Sequence, residues 1–137
     1  MAYEDFKELL PEITALNAPF WEGLAAGELR LQKCGACGAR QHPAESFCYA
    51  CGSQDVQWRP SAGGGEIYSF IVVHQLYHKA FKDHLPYVVA IVQLDDGPRI
   101  LGAMLGLEGA PEIGMRVRPA FQKIDNEQAI LLFEPAV

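Results

Sequence analysis

Seven short segments rich in apolar residues predict β-strands, and apolar and polar positions alternate clearly in two of them, ELRLQK (28–33) and MRVRPAFQ (115–122). In MRVRPAFQ, residues 115–122, three apolar side chains would lie on one face and three polar ones on the other. DDGP at residues 95–98 and GAPEIG at residues 109–114 supply turn-forming residues between strands. The seven segments are residues 28–33, 56–60, 66–74, 87–94, 99–106, 115–122 and 128–135.

The first 27 residues have a different pattern, which predicts a helical arm. A second short helix in this arm would begin after Asn17 and end at Gly27. Pro11 interrupts the first helical stretch. The apolar positions of that first stretch are Phe6, Leu9, Leu10 and Ile13.

Phe20 and Trp21 would form part of an apolar face on the second helix. One interpretation is that this face packs on its own domain. The other is that an acidic, aromatic arm faces a partner protein or lines a ligand groove. The sequence leaves both open.

Three zones follow from these patterns: the helical arm at residues 1–27, a cysteine-containing module at residues 28–60 and a strand-rich domain at residues 61–137. Five short strands follow one another in the last zone, which is typical of a small Greek-key barrel of the OB type. The predicted fold class is therefore mainly β, with a helical arm, a small cysteine-containing module and a five-stranded OB-fold barrel.

The charge distribution argues against a nucleic-acid partner. The net charge is −6, and it divides into −4 for residues 1–27, +1 for residues 28–60 and −3 for residues 61–137. No zone is strongly basic, so tight binding to a phosphate backbone lacks its main driving force.

The chain is expected in the cytoplasm. The longest apolar run, at residues 100–107, is far too short to span a bilayer, so no membrane association is expected. The acidic start, MAYEDFKELL, lacks the basic and apolar regions of a signal peptide. A reducing compartment makes a disulfide framework a poor explanation for the cysteines.

All the cysteines fall in two Cys-x-x-Cys pairs separated by ten residues, which is the spacing of a four-cysteine zinc ribbon. Gly38 and Gly52 each follow the second cysteine of a pair, where a glycine can turn the backbone so that N–H groups point at the sulfurs. The predicted metal ligands are Cys34, Cys37, Cys48 and Cys51.

The predicted metal is zinc in a structural role. Four thiolates close the tetrahedron, whereas a catalytic zinc keeps one position for water, and His42 inside the motif is not needed as a ligand. Iron is the alternative, because rubredoxin-type electron carriers use the same four-sulfur geometry. Nothing in the sequence indicates a redox partner, so zinc is preferred.

A second cluster of polar residues lies between the first two barrel strands, where OB-folds often place a ligand-contacting loop. It could be a solvated loop, a binding loop for a phosphorylated or adenine-bearing ligand or a protein partner, or a site with a catalytic histidine. Two of its histidines could form a metal pair only if the segment were helical. The candidate residues are His74, His78, Lys79, Phe81, Lys82 and His84.

Catalytic motifs are absent from the sequence. It has no Gly-x-Ser-x-Gly, no phosphate loop and no Gly-x-Gly-x-x-Gly after a strand. All four cysteines are already assigned to the metal. No catalytic residue is therefore predicted.

The order of these elements resembles a family of acyl-CoA-associated proteins that join a helical arm, a rubredoxin-like zinc ribbon and an OB-fold. The resemblance spans nearly the whole chain. Its carriers are PFWEGLAAGELRLQKC (19–34), CGACGARQHPAESFCYACG (34–52), GGGEIYSFIVVH (63–74) and PYVVAIVQLDDGPRILGAMLG (86–106).

The resemblance implies an accessory subunit that binds a thiolase-like or hydratase-like enzyme subunit in a hetero-oligomer and helps to bind or channel acyl-CoA in lipid, steroid or aromatic metabolism. The enzyme partner would carry the catalytic residues. The four cysteines are the only residues whose role the resemblance assigns. The alternatives from other classes are a single-stranded nucleic-acid-binding module and a self-sufficient enzyme or rubredoxin-like redox carrier.

Overall fold

The computed structural model describes the backbone of residues 3–136 and the side chains of residues 5–136. In this part of the chain the structure is mainly β, as the strand-like segments of the sequence predict. Its elements are a first 3₁₀ helix (Tyr3–Leu9), α1 (Ala18–Ala25), β1 (Leu29–Cys34), β2 (Arg40–Gln41), β3 (Val56–Ser61), β4 (Gly65–Val73), a second 3₁₀ helix (Lys79–Phe81), β5 (Tyr87–Leu94), β6 (Arg99–Met104), β7 (Arg116–Lys123) and β8 (Ala129–Pro135).

The first three strands form the sheet of the ribbon, in the order β2-β1-β3. Both pairings are antiparallel, with Gln32 opposite Gln41 on one side of β1 and Cys34 opposite Val56 on the other. β1 therefore carries the chain to the first cysteine pair, and β3 carries it back from the second pair to the barrel.

The last five strands close into a barrel in the order β4-β5-β6-β8-β7. β6 and β8 are parallel and the other pairs are antiparallel, and β4 returns to β7 through Gly65 and Glu66. The expected five-stranded OB-type barrel is thus confirmed. Gly102 allows the ring of Phe133 to lie against β6, because a Cβ at this position would be 2.6 Å from Phe133 Cδ2.

One hydrophobic core serves all three zones of the sequence. Leu24 of α1 and both Leu29 and Leu31 of β1 are buried in the same cluster as the barrel interior. The ribbon and the helix therefore supply part of the apolar surface that the barrel buries. The barrel members of the cluster are Ile67, Ala90, Val92, Leu94, Ile100, Met104, Val117, Ala129 and Phe133.

The N-terminal arm differs in detail from the sequence pattern. Its first segment is a 3₁₀ helix that ends at Leu9, and Leu9 and Ile13 are exposed. Phe6 is buried in a small separate cluster with Ala80 and Ile124. The apolar residues keep helical spacing as far as Ile13, but the helix itself ends before Pro11. A proline lacks the backbone N–H that would continue an α-helix.

Asn17 precedes α1 but its side chain does not cap the helix. Its Oδ1 accepts a hydrogen bond from the N–H of Thr14 at 2.7 Å, and its Nδ2 donates to the carbonyl of Glu12 at 3.1 Å. Asn17 therefore fixes the turn that leads into α1.

Among the helices described, none is long and apolar enough to cross a membrane.

Candidate functional site

The four cysteines converge at the tip of the ribbon. Their sulfurs all lie within 4.8 Å of one another. Sγ of Cys34 is 3.7 Å from that of Cys51, and Sγ of Cys37 is 3.6 Å from that of Cys48. A tetrahedral zinc with Zn–S bonds of about 2.3 Å requires sulfurs roughly 3.8 Å apart. The residues therefore fit a single four-coordinate metal ion.

Backbone N–H groups favour the thiolate form of the first cysteine in each knuckle. Cys37 and Ala36 donate to Sγ of Cys34 at 3.4 and 3.3 Å. These bonds, with that from Cys37 the stronger influence, lower the pKa of the Cys34 thiol to about 6. The N–H groups of Cys51 and then Ala50 lower the pKa of Cys48 in the same way. The thiolate is the form that binds a metal.

The two knuckles have the same backbone geometry. Gly38 and Gly52 have φ of +80° and +77°, in the left-handed region that glycine adopts without strain. Each glycine N–H donates to the carbonyl of the cysteine four residues before it, Cys34 or Cys48, at 3.0 and 2.9 Å. The glycines thus close the knuckle, while the residues before them supply the bonds to sulfur.

A buried pair of glutamines supports the second knuckle, and sequence reasoning missed it. Gln41 Nε2 donates to Gln32 Oε1 at 2.8 Å and to the carbonyl of Phe47 at 2.9 Å. Gln32 exchanges two hydrogen bonds of 2.9 Å with the backbone of Glu45, and Gln41 Oε1 accepts from the N–H of Tyr49 at 2.9 Å. The pair therefore holds the backbone on both sides of Cys48.

Arg40 links the ribbon to the barrel. Its guanidinium donates to the carbonyls of Arg59 and Pro60 at 3.0 and 2.9 Å. Its Nε lies 3.4 Å from Oδ2 of Asp96, which also accepts a hydrogen bond of 2.7 Å from Ser61. This contact fixes the ribbon against the turn between β5 and β6.

His42 is not part of the metal cluster found among the described residues, which consists of the four cysteines. It lies beside α1 of the arm. Its ring is 5.2 Å from that of Phe20, and burial lowers the pKa of the imidazole. His42 is thus neutral at pH 7 and packs against α1.

The loop between β4 and β5 is fastened to the N-terminal arm. His78 Nδ1 accepts from the N–H of Ala80 at 3.0 Å, and its Nε2 lies 2.9 Å from Oε1 of Glu8. Residues 74–78 are not helical, so His74 and His78 lack the helical spacing that a metal-binding pair would need. His74, Lys79 and Lys82 lie on the exposed side of this loop.

The aromatic residues of the same loop close one end of an apolar cavity. The ring of Phe81 stacks on Tyr87 at 4.6 Å and meets the edge of Phe6 at 4.8 Å. His84 also contacts Phe6, at 5.3 Å between rings. The cavity has a volume of about 860 Å³. Its other walls include Val72, Val88, Met104, Leu107 and Leu132.

Phe20 and Trp21 are half-buried and pack against the shared core. They also line a groove of about 690 Å³ between the arm and the outer face of β5 and β6. Leu101 lines the same groove and is exposed. The arm therefore packs on its own domain and also borders an open groove. Whether this groove receives a partner stays a prediction.

Comparison with known proteins agrees with this architecture. Residues 21–57 match the family model of the ChsH2 rubredoxin-like zinc ribbon domain. Residues 58–122 match that of the ChsH2 C-terminal OB-fold domain.

Among curated proteins, the chain is 39% identical over 130 residues to a Thermomonospora curvata protein named "Probable enoyl-CoA hydratase alpha subunit". That match covers 93% of this chain but 40% of the relative, so the chain spans less than half the length of the hydratase subunit. It is 31% identical to a DUF35 domain-containing scaffold protein of Methanocaldococcus jannaschii, with 74% of each protein covered.

Among solved structures, the chain resembles one in the Ltp2-ChsH2(DUF35) aldolase, with 38% identity and a TM-score of 0.84. The match covers 93% of this chain and 100% of the other. A DUF35 protein of Sulfolobus solfataricus shares the fold at 16% identity and a TM-score of 0.63, with 98% and 96% of the chains covered. The chain belongs to the DUF35 family, and it joins a ChsH2-type zinc ribbon to a ChsH2-type OB-fold domain.

Proposed function

We propose that this chain is a zinc-binding accessory subunit that associates with a thiolase-like enzyme and helps to bind the acyl-CoA substrate of that enzyme. The observation that carries the proposal is the similarity to one chain in the Ltp2-ChsH2(DUF35) aldolase. The match covers the whole of that chain. The curated relatives named as hydratase alpha subunits support a partner in acyl-CoA metabolism.

Zinc is the metal that we assign to the four cysteines. The sulfur separations of 3.6 and 3.7 Å and the N–H bonds to the thiolates fit it. Four sulfur ligands leave no position for a water, so the metal would hold the ribbon together and the partner would perform the reaction. Elemental analysis should give one zinc per chain and no visible absorbance. Red protein with iron–thiolate bands would support the redox carrier instead.

The apolar cavity behind the loop is our candidate for the acyl group. Its volume of about 860 Å³ lies in the range of small-molecule sites, and its walls are largely aliphatic and aromatic. The exposed Lys79 and Lys82 on the same loop would place positive charge outside it, where phosphates of a CoA could remain in water.

Gentle purification of the tagged chain from its own host, followed by native mass spectrometry, tests the association. We expect a complex from which a zinc-bearing chain is released together with a thiolase-sized or hydratase-sized subunit. A chain that remains alone at every concentration would contradict the proposal.

Calorimetric titration with acyl-CoAs of increasing chain length tests the cavity. Affinity should rise with each added CH₂, and Ala103→Trp should reduce it because Ala103 lines the cavity. Ala62→Trp, at an exposed position between β3 and β4 that is outside the cavity lining, is the matched control. Equal affinity for CoA and for long acyl-CoAs would show that the cavity does not bind the acyl group.

A further inference from the structure

The apolar cavity and the groove beside the arm lie along one face of the same two strands. In the register of β5 and β6, Val89 lies opposite Ala103 and Ile91 lies opposite Leu101. The first pair lines the cavity and the second pair lines the groove. Two residues of β8 line both spaces: Ile130 and Leu131. Because residues two apart on a strand point to the same face, the cavity and the groove follow one another along that face.

The N-terminal arm crosses this face between the cavity and the groove. Phe6 lines the cavity, whereas Pro11, further along the arm, lines the groove. Phe6 is buried in one cluster with Ala80 and Ile124, and Ile130 packs against the same cluster. Phe6 therefore forms the wall of the cavity on the side of the groove.

Several contacts hold Phe6 in this position. Its ring meets the rings of Phe81 and His84 edge-on, with 4.8 and 5.3 Å between the centroids. The two residues that follow it are held by ion pairs of 2.9 Å, namely Lys7 with Asp125 and Glu8 with His78. The wall is thus fastened both to the turn between β7 and β8 and to the loop between β4 and β5.

The space beyond Phe6 has the same apolar character as the cavity. The groove has a volume of about 690 Å³. Its charged lining residue, Arg99, donates to Gln93 Oε1 at 2.9 Å and lies over the ring of Tyr68. The aliphatic and aromatic lining residues of the groove are Phe20, Trp21, Leu24, Trp58, Ile91, Ile100, Leu101, Ile130 and Leu131.

We propose that Phe6 sets the largest acyl group that the cavity accepts. The inference rests on the proposed binding of acyl-CoA in this cavity. An acyl group that fills the cavity meets the ring of Phe6, and a longer one gains no further burial while the ring is in place. Removing the ring joins the cavity to the groove, where additional CH₂ groups can pack on Ile91 and Leu101.

Calorimetric titration of the zinc-loaded full chain with saturated acyl-CoAs of increasing length tests the proposal. For the wild type, affinity should rise roughly fourfold with each buried CH₂ and then level off at one chain length. Phe6→Ala should move this plateau by roughly two carbons or more, because the space left by a large side chain closes only in part. Acyl-CoAs just beyond the wild-type plateau should then bind Phe6→Ala roughly tenfold tighter.

Leu10→Ala is the matched control. Leu10 packs against the cluster of Phe6 but does not line the cavity, so its loss weakens the packing of the arm without removing the wall. Full zinc content and a cooperative melting transition in both variants would show that they fold. A plateau at the same length in the wild type and Phe6→Ala, or an equal shift in Leu10→Ala, would overturn the role of Phe6 and leave the acyl site standing. Wild-type affinity that does not depend on chain length would instead reject the acyl site, and the role of Phe6 with it.

Photo-crosslinking gives an independent measurement. An acyl-CoA just beyond the wild-type plateau, with a diazirine at the distal end of its chain, is bound and irradiated, and labelled peptides are identified by mass spectrometry. In Phe6→Ala the label should reach groove residues such as Trp21 or Leu101. In the wild type these residues should stay unlabelled. Equal labelling of the groove in both proteins would show that Phe6 does not separate the two spaces.

Discussion

The tip of the ribbon and the interior of the barrel are stabilised by different interactions. Between residues 35 and 55 the buried side chains are those of Gln41 and Cys48, whereas the barrel buries nine apolar residues in one cluster. The tip is too small to form a core, so thiolate–metal bonds and amide hydrogen bonds must stabilise it. The barrel relies on apolar burial. Perturbations of the metal, the core, the glutamine pair and the arm should therefore act on different parts of the molecule.

The largest effect is expected from loss of a metal ligand. Cys34→Ser should abolish stoichiometric zinc binding, because three thiolates and a hydroxyl form a much weaker site. Amides of residues 35–55 should then exchange rapidly, while those of β5 and β6 stay protected. Elemental analysis and hydrogen exchange measure the two effects. Ala36→Ser, in the same knuckle, should change neither, and unfolding of the barrel with the tip would refute the comparison.

The next largest effect is expected in the shared core. Phe133→Ala should lower the free energy of unfolding by about 3–5 kcal/mol, because Phe133 is fully buried against Gly102. Urea denaturation measures it. Leu101→Ala, at an exposed position, should cost less than about 0.5 kcal/mol. A loss below 1 kcal/mol for Phe133→Ala would mean that the barrel interior can close around the missing ring.

A smaller effect is expected from the glutamine pair. Gln41→Leu leaves the carbonyl of Phe47 and the N–H of Tyr49 without a side-chain partner and removes one of the hydrogen bonds of Gln32 Oε1, at a cost of about 1–3 kcal/mol. Zinc affinity should fall about 10–100-fold, as for other groups that orient metal ligands. Competition with a chelator measures this affinity. The control is Gln54→Leu, at an exposed position of the same ribbon, and an equal loss there would contradict a specific role for the pair.

The smallest effect concerns the attachment of the arm. The ammonium of Lys7, 2.9 Å from Asp125, and the N–H groups of Glu127 and Gln128 hold the pKa of the Asp125 carboxyl at about 2. Because this pKa is below the ordinary carboxyl value of about 3.9, the Lys7–Asp125 ion pair gives its full stabilisation above about pH 3.9. That stabilisation is lost as the pH falls toward 2.

NMR shifts of residues in the first 3₁₀ helix should therefore move between about pH 4 and pH 2. Asp125→Asn should remove most of that transition, since it removes the titrating group. Glu127→Gln keeps the backbone N–H and should retain the transition. An identical titration in wild type and Asp125→Asn would show that the ion pair does not hold the arm.

The sequence predicted the strands well because the strand-like apolar segments are separated by turn-forming residues such as DDGP at 95–98. The strand predicted at residues 87–94 coincides with β5, and the four cysteines were identifiable because their spacing alone specifies two knuckles. The 3₁₀ geometry of the first segment could not be predicted, since Phe6 and Leu10 satisfy either helix.

The glutamine pair was also beyond sequence reasoning. Gln32 and Gln41 are polar residues that usually lie on the surface, and only the register of β1 with β2 places them together under the tip.

The shared core has a consequence for evolution and for protein engineering. The two family matches meet between Gln57 and Trp58, which lies inside β3. A cut there would divide a strand and deprive the barrel of Leu24, Leu29 and Leu31. Ribbon and barrel should therefore be inherited and transplanted as one unit. A chimera that exchanges only one of them must also redesign the three leucines that both share in the core.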